Sequence, residues 1–557
     1  MFTMDSLVFL AIAVAILFAA VQRGGDGART MGEKTHRAIC GAAIAAGVLV
    51  RLARLTSLPA GISAEEALVG VQAKALWQTG GFLFGQGLTT QLSQWAGETT
   101  GPLLAVLTAP FVGLFGMSKL TVRLPLALLS CAAMPAAYGL GEALSGRRAA
   151  RWMLLIAALC PIFVLEARMT CGSCAALYLL PIALCLIARG VTKPAALYPG
   201  MIVLALTAYA QDMYFFIAPA AILACAIIAL VFGRKKRHAV ISGAIGLLLC
   251  VPAMLTAFVN LTGAEGMTLL GLIRIPRLEG FEKTFMAENR SVGDKLWAVL
   301  IGGVFQVLRH ENIHQAMYTP DGMLALFMFS LPLMVLGALA LFARWTDGRR
   351  AAREKAAARA MAAATCAVTL AALVMFGSVG TLNTNGTTGL FDHSALILFD
   401  AVLMTAGLCT IERKNIKCAA AMVALMAVNF AWLAVQLFGG SYQANANVYF
   451  PGFEQMAARA AEIQAETGEK INVTGNIYPH IQPSDGAEMM FLYATDADMR
   501  TAEAERGTRY ETIYVSEDMQ PEADQIYLAR ANEISNWDLE GFDYEESEGY
   551  ALIYPAR

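Results

Sequence analysis

Apolar runs of about 17–25 residues recur along most of this chain. Each is long enough to cross a hydrocarbon layer about 30 Å thick at about 1.5 Å per helical residue. Lipid offers the backbone no hydrogen-bond partners, so only helices or closed barrels can span it. The runs are continuous rather than alternating, which excludes a barrel. Spans read near 5–22, 38–57, 122–144, 151–167, 173–188, 196–211, 213–233, 239–259, 323–343, 360–380, 394–410 and 418–438. Only 15% of residues are charged, against roughly a quarter in soluble domains. The predicted fold is an all-α polytopic membrane protein of about twelve transmembrane helices with a small C-terminal α/β domain.

Charge sets the predicted orientation. The segments 23–37, 145–151, 234–238, 344–359 and 411–417 are all rich in Lys and Arg, and such loops face the cytoplasm. The loops between them then face outward: 58–121, 168–172, 211–212, 260–322 and 381–393, together with the C-terminus. Run 1–22 reads as an uncleaved N-out helix rather than a signal peptide, because it lacks a basic start and a small-residue cleavage site. Segment 297–308 is apolar but too short to cross, and reads as an interfacial amphipathic helix. The organisation predicted is 1–37, an extra helix and basic loop; 38–438, a membrane core with outer loops 58–121 and 260–322; and 439–557, a soluble extracytoplasmic domain. The whole is expected in the cell membrane as a multi-pass protein.

The net charge of −2 hides a segregation: residues 439–557 carry 22 Asp/Glu and 7 Lys/Arg. Basic residues lie between spans, which points to membrane lipids rather than nucleic acid as partner. All 11 cysteines precede residue 439, so the soluble domain has no disulfide. Within it, 451–468 reads as helix and 470–473, 512–515 and 550–554 as strands, with no phosphate loop, metal motif or nucleophile elbow.

The first outer loop carries the most chemistry. It opens Leu58-Pro59-Ala60-Gly61-Ile62-Ser63-Ala64-Glu65-Glu66-Ala67, followed by a helix-like stretch over 67–78, a Gly-rich turn, Gly101-Pro102-Leu103 and Arg123-Leu124-Pro125. A carboxylate against an apolar wall can be raised toward neutrality and serve as general base. Equally, the pair reads as solvated loop acids or a helix cap.

This order of features resembles the first outer loop of C-type (GT-C) membrane glycosyltransferases, nearest the protein O-mannosyltransferase and lipid A aminoarabinose-transferase branch. The resemblance rests on Glu65-Glu66-Ala67, Gly101-Pro102-Leu103, Phe115-Gly116 and Arg123-Leu124-Pro125. It continues through Cys160-Pro161, Ala167-Arg168, Leu206–Tyr209, Tyr214-Phe215, Ile273–Arg277 and Asp321-Gly322, over roughly residues 38–440. It implies transfer, with inversion, of a sugar from a polyprenyl-phosphate carrier to a lipid, polysaccharide or protein acceptor at the outer face. Glu65 takes the place of the family's catalytic acid, and Glu66 that of its neighbour or of a cation ligand. Arg168, Arg274 and Arg277 stand where relatives face the donor phosphate, and Arg123 enters the cavity wall. A divalent cation is the one cofactor the resemblance suggests. The departures are Gly172 and Ser173 where relatives carry an acid, Gly386 after Asn383-Thr384-Asn385, and Thr100 where the aminoarabinose branch has Lys.

Weaker signals complete the reading. His310 and His314 lie in a polar cluster that could hold a metal or a phosphate or be a plain solvated loop, and Asp392-His393 before a span could line the cavity or form a surface ion pair. Cys171-Gly172-Ser173-Cys174 has redox or metal spacing but reads as small-residue packing. Gln211-Asp212 reads as a turn. The rival functions are a lipid or solute transporter, against which the absence of internal repeats argues, and a non-catalytic scaffold.

Overall fold

The computed structural model describes residues 4–22, 31–93, 99–170, 174–210, 214–278, 293, 323–346, 353–376, 394–439, 450–476, 485–516 and 519–556. The membrane core is built of α1 (Met4–Gln22), α2 (Glu33–Leu52), α5 (Lys119–Ser145), α6 (Arg147–Leu159), α7 (Pro161–Leu165), α8 (Cys174–Gly190), α9 (Leu197–Leu206), α10 (Tyr214–Phe232) and α11 (Lys236–Thr262). It closes with α12 (Ser330–Thr346), α13 (Arg353–Phe376), α14 (Ser394–Lys414) and α15 (Ile416–Phe438). The loop 58–121 holds α3 (Ala64–Thr79) and α4 (Leu103–Phe115).

Each predicted span carries a helix, with shifted ends. Five described helices are long and apolar enough to cross a membrane: α2, α5, α10, α11 and α15. The expected span 151–167 is broken instead: α6 and α7 meet at 59°. Cys160 is extended and Pro161 opens α7, and a proline cannot supply the amide that would continue α6. The break frees carbonyls in an apolar setting, and Arg51 answers them. It donates to Ala157 O (2.7 Å), Ala158 O (3.1 Å) and Phe163 O (2.7 Å), and to Gly47 O in its own helix (2.9 Å).

At the end with the basic loops, Glu412 of α14 accepts from Arg151 at 2.5 Å and from Trp152 at 2.8 Å. Arg151 also meets His36 of α2 at 3.1 Å. Three helices are pinned there by one buried carboxylate. On the α12–α14 face, a Cβ on Gly337 would stand 1.9 Å from Leu403 O, so the two helices pack backbone to backbone through glycine, as small residues permit in lipid.

The C-terminal domain is α/β, as expected, with more strands than the sequence suggested. α16 (Pro451–Thr467), α17 (Asp485–Ala494) and the short α18 (Ala502–Glu505) pack on a five-stranded sheet. Its strands are β6 (Lys470–Thr474), β7 (Tyr510–Ile513), β8 (Gln525–Arg530), β9 (Phe542–Ser547) and β10 (Tyr550–Pro555), in the order β7-β6-β8-β10-β9. β6 runs parallel to β7 and β8, and β10 antiparallel to β8 and β9.

This domain and the loop 58–121 share one apolar core. Ala67, Leu68 and Val71 of α3 are buried with Met489, Met490 and Tyr493 of α17. Polar contacts ring it: Lys74–Asp496 (2.6 Å), Lys119–Glu454 (2.7 Å), Met499 N to Gln78 Oε1 (2.9 Å) and Gly85 N to Glu503 Oε1 (2.8 Å). A second tie joins the loop 58–121 to the segment after α11. β1 (Leu88–Thr89) pairs in parallel with β5 (Ile273–Ile275), which pairs with β4 (Met267–Leu269), while β2 (Leu92–Ser93) and β3 (Thr99–Thr100) pair antiparallel beside them in sequence. Thr90 and Thr256 of α11 then join hydroxyls at 2.6 Å.

Candidate functional site

α3 begins at Ala64 rather than near residue 67, which puts Glu65 and Glu66 in its first turn. Ser63 caps it: Glu66 N donates to Ser63 Oγ (3.2 Å) and Ser63 N donates to Glu66 Oε2 (3.3 Å), a reciprocal capping box. The two acids therefore diverge in role.

Glu66 is buried and fully engaged. Arg123 donates to it through Nε and Nη2, both at 2.8 Å, and Thr170 N adds a third bond at 3.2 Å. Side-chain exposure is 0% for Arg123 and 1% for Glu66. Arg123 also donates to Leu55 O (3.1 Å), Pro59 O (2.9 Å) and Gly61 O (2.7 Å). This node locks the α2–α3 connector, the start of α3, α5 and residue 170 together. With its oxygens committed, Glu66 is turned away from the base or cation-ligand role its sequence position suggested, and Arg123 away from a cavity wall.

Glu65 differs on each count. It is half-buried and has no hydrogen bond or ion pair among the described residues. Burial pushes its carboxyl up to about 7, and the negative charge of Glu66 adds to the rise. Glu166, in a 3₁₀ turn after α7, is buried. Its Oε2 stands 2.8 Å from Sγ of Cys174. Sequence reasoning overlooked Glu166 inside an apolar run, although an acid in such a run is itself a signal. Arg51 was missed in the same way.

Arg168 is not turned to a ligand. Fully buried, it donates to Val50 O (2.5 Å), Arg51 O (3.2 Å), Ala53 O (2.9 Å) and Leu58 O (3.0 Å) and stacks over Phe438. A cation at a helix C-terminus meets both the unpaired carbonyls and the negative end of the dipole. Arg168 is thus the cap of α2. Arg274 is exposed on β5 and donates to Gly85 O at 3.1 Å, and Arg277 is exposed two residues beyond β5. His310, His314, Asp392, His393, segment 297–308 and Gln211-Asp212 lie outside the described residues. Among those described, no three His, Cys, Asp or Glu side chains converge as metal donors.

Cys174, at the start of α8, is disulfide-bonded, which corrects its reading as a small packing residue. Cys171 lies outside the described residues.

No family model matches the chain, and no curated protein does. Solved structures do. ArnT from Cupriavidus metallidurans bound to undecaprenyl phosphate superposes over 93% of this chain and 98% of its own, at 10% identity and a TM-score of 0.52. The apo state of that ArnT gives 0.45 at 13% identity, over 92% of this chain and 97% of that one. The Archaeoglobus fulgidus oligosaccharyltransferase gives 0.46 at 12% identity, over 86% of this chain and 65% of that one. The first likeness spans nearly the whole of both chains, and the fold is shared with that ArnT.

Proposed function

We propose that the protein is an inverting glycosyltransferase that moves a sugar from a polyprenyl-phosphate carrier to an acceptor hydroxyl at the outer face of the cell membrane. The observation that carries this reading is Glu65: a half-buried carboxyl with no hydrogen bond or ion pair among the described residues, raised to about 7, on a helix start held rigid by Glu66 and Arg123. A base poised near the working pH transfers protons most effectively. The fold supports a carrier-lipid donor, since the ArnT that shares it was solved with undecaprenyl phosphate.

In this reading the chain crosses the membrane twelve times, with both ends outside. Residues 38–438 form the catalytic core and 439–557 an extracytoplasmic cover. The core shared by α3 and α17 supports placing the first outer loop and the C-terminal domain on one side.

Glu65 takes the acceptor O–H proton as that oxygen attacks the anomeric carbon from the face opposite the phosphate. The bond from that carbon to the phosphate oxygen breaks, and its electron pair leaves with the lipid phosphate. Arg274 and Arg277, on the segment tied to the first outer loop through β1, supply positive charge for the departing phosphate. Arg123 and Arg168 act behind them by holding backbone.

The test is transfer from a panel of radiolabelled polyprenyl-phosphate sugars in membranes, comparing the natural protein with Glu65→Gln. One donor should label an acceptor, and the substitution should slow that transfer by about 100-fold or more. Transfer that survives Glu65→Gln unchanged would remove Glu65 as the base.

A further inference from the structure

A two-stranded hairpin, β4–β5, follows α11. Four residues link Thr262, the last of α11, to Met267, the first of β4, so the hairpin starts within about 18 Å of the helix end. β5 leads back to the same place: Asn260, in the last turn of α11, donates to Pro276 O at 3.0 Å and accepts from Leu278 N at 2.6 Å. α11 is long and apolar enough to cross a membrane, and its exposed apolar side chains, Leu248, Met254 and Phe258, continue to about one turn from its end. The hairpin therefore stands where the span leaves lipid. We propose that it is a membrane anchor: Leu270 and Leu272 seat in the bilayer surface and fix the depth of the loop 58–121. The anchoring stands by itself; its effect on transfer rests on the reading of Glu65 as the base.

The turn shows why water is the wrong surroundings. Leu270 and Gly271 both take positive φ, 53° and 68°, and Leu272 N donates to Leu269 O at 3.0 Å. Two central residues at positive φ make the hairpin turn that favours Asn-Gly, because asparagine tolerates the left-handed conformation far better than leucine. Leu270 is nevertheless 86% exposed and Leu272 67%. The sequence puts a strained, exposed leucine where asparagine would suit both the turn and water, so the contact that leucine gains is apolar. From Met267 to Ile273 there is no charged side chain; Arg274 and Arg277 follow, both exposed. An apolar tip rimmed by arginine fits a bilayer surface, with leucine at the acyl chains and guanidinium at the phosphates.

The ladder limits the depth. β4 is an edge strand, in the order β1-β5-β4, and its outward amides and carbonyls need water or head groups, because hydrocarbon offers them no partners. The backbone thus rests among the head groups, and only side chains reach further. The anchor acts on the site through β1. That strand pairs with β5, Arg274 donates to Gly85 O at 3.1 Å, and Thr90 N donates to Arg274 O at 3.3 Å. What holds the hairpin at the bilayer therefore also holds residues 85–90 of the loop that carries Glu65. It keeps Arg274 and Arg277 at the level where a lipid phosphate lies.

The experiment uses the full chain in nanodiscs of phosphatidylethanolamine and phosphatidylglycerol, with p-benzoylphenylalanine in place of Leu270, of Leu272 or, as an exposed control in the C-terminal domain, of Tyr544. Illumination should add the mass of one phospholipid at 270 and at 272 and none at 544. Joining of 270 and 272 to a second copy or to another segment of this chain, no lipid adduct, or equal lipid labelling at all three positions overturns the anchor. In a second arm Leu270→Asn/Leu272→Asn, which suits the turn, is assayed for transfer in nanodiscs and in detergent micelles. Transfer should fall several-fold in the bilayer and stay unchanged in micelles, where depth has no meaning. An equal fall in both, or none in either, overturns the link between hairpin depth and transfer. A chain that transfers nothing in any form overturns the transferase reading and leaves the anchor to be decided by the photoadducts.

Discussion

Replacing Arg123 should cost far more stability than removing a surface or loop cation, and the structure supplies the magnitude. Its guanidinium satisfies both oxygens of Glu66 and three backbone carbonyls, those of Leu55, Pro59 and Gly61, with neither partner exposed beyond 1%. Arg123→Ala leaves a buried carboxylate whose remaining partners among the described residues are Thr170 N and Ser63 N. Breaking a buried pair on one side costs about 3–5 kcal/mol. Glu66→Gln keeps the shape and part of the cap, and should cost about 1–3 kcal/mol. Removing both charges with Arg123→Met/Glu66→Met should restore much of the loss, because a well-packed apolar pair spares the desolvation of two ions. Unfolding in mild detergent, followed by protease susceptibility, reads these differences. Arg37→Ala is the control: that residue pairs with Glu33 in the open, at 78% and 46% exposure, and its loss should leave the midpoint unchanged. An Arg123→Ala midpoint equal to the Arg37→Ala midpoint would refute the node.

Other predictions address separate parts of the molecule. Glu65 binds its proton more tightly folded than unfolded, so its contribution is full below pH about 4.5 and is lost as pH rises toward about 7; Glu65→Gln should stabilise the protein at pH 8 by about 1–2 kcal/mol, after screening at a part-exposed site is allowed for. Gly337→Val should separate α12 from α14, since even a Cβ would meet Leu403 O at 1.9 Å; a detergent-extracted protein with an unchanged melting midpoint would contradict this. Reversing either charge of the Lys119–Glu454 pair should loosen the C-terminal domain by about 1 kcal/mol or less, and reversing both should recover it. Limited proteolysis of the two single variants and the double variant checks that cycle.

The helical membrane core was readable because its cause is one-dimensional: lipid demands unbroken apolar runs, and these are visible without knowing any contact. Helix ends were less readable. The run 38–57 stops as helix at Leu52 because Arg168, far along the chain, takes over its terminal carbonyls. An arginine that caps a helix and one that binds phosphate look alike in sequence, since both are lone cations at the outer end of an apolar run. The same ambiguity joined Glu65 to Glu66; only the fold shows that Arg123 claims one and leaves the other. In the soluble domain, β10 was readable from its apolar stretch. β9 was not, because Phe542–Ser547 is an acidic edge strand, where charge blunts pairing instead of marking a core.

The pH dependence of sugar transfer tests Glu65 most directly. With a carboxyl raised to about 7, the rate should climb about tenfold per pH unit below 7 and level above it, and Glu65→Gln should show neither the climb nor the plateau. A natural protein whose rate is flat from pH 5.5 to pH 8 would contradict the account.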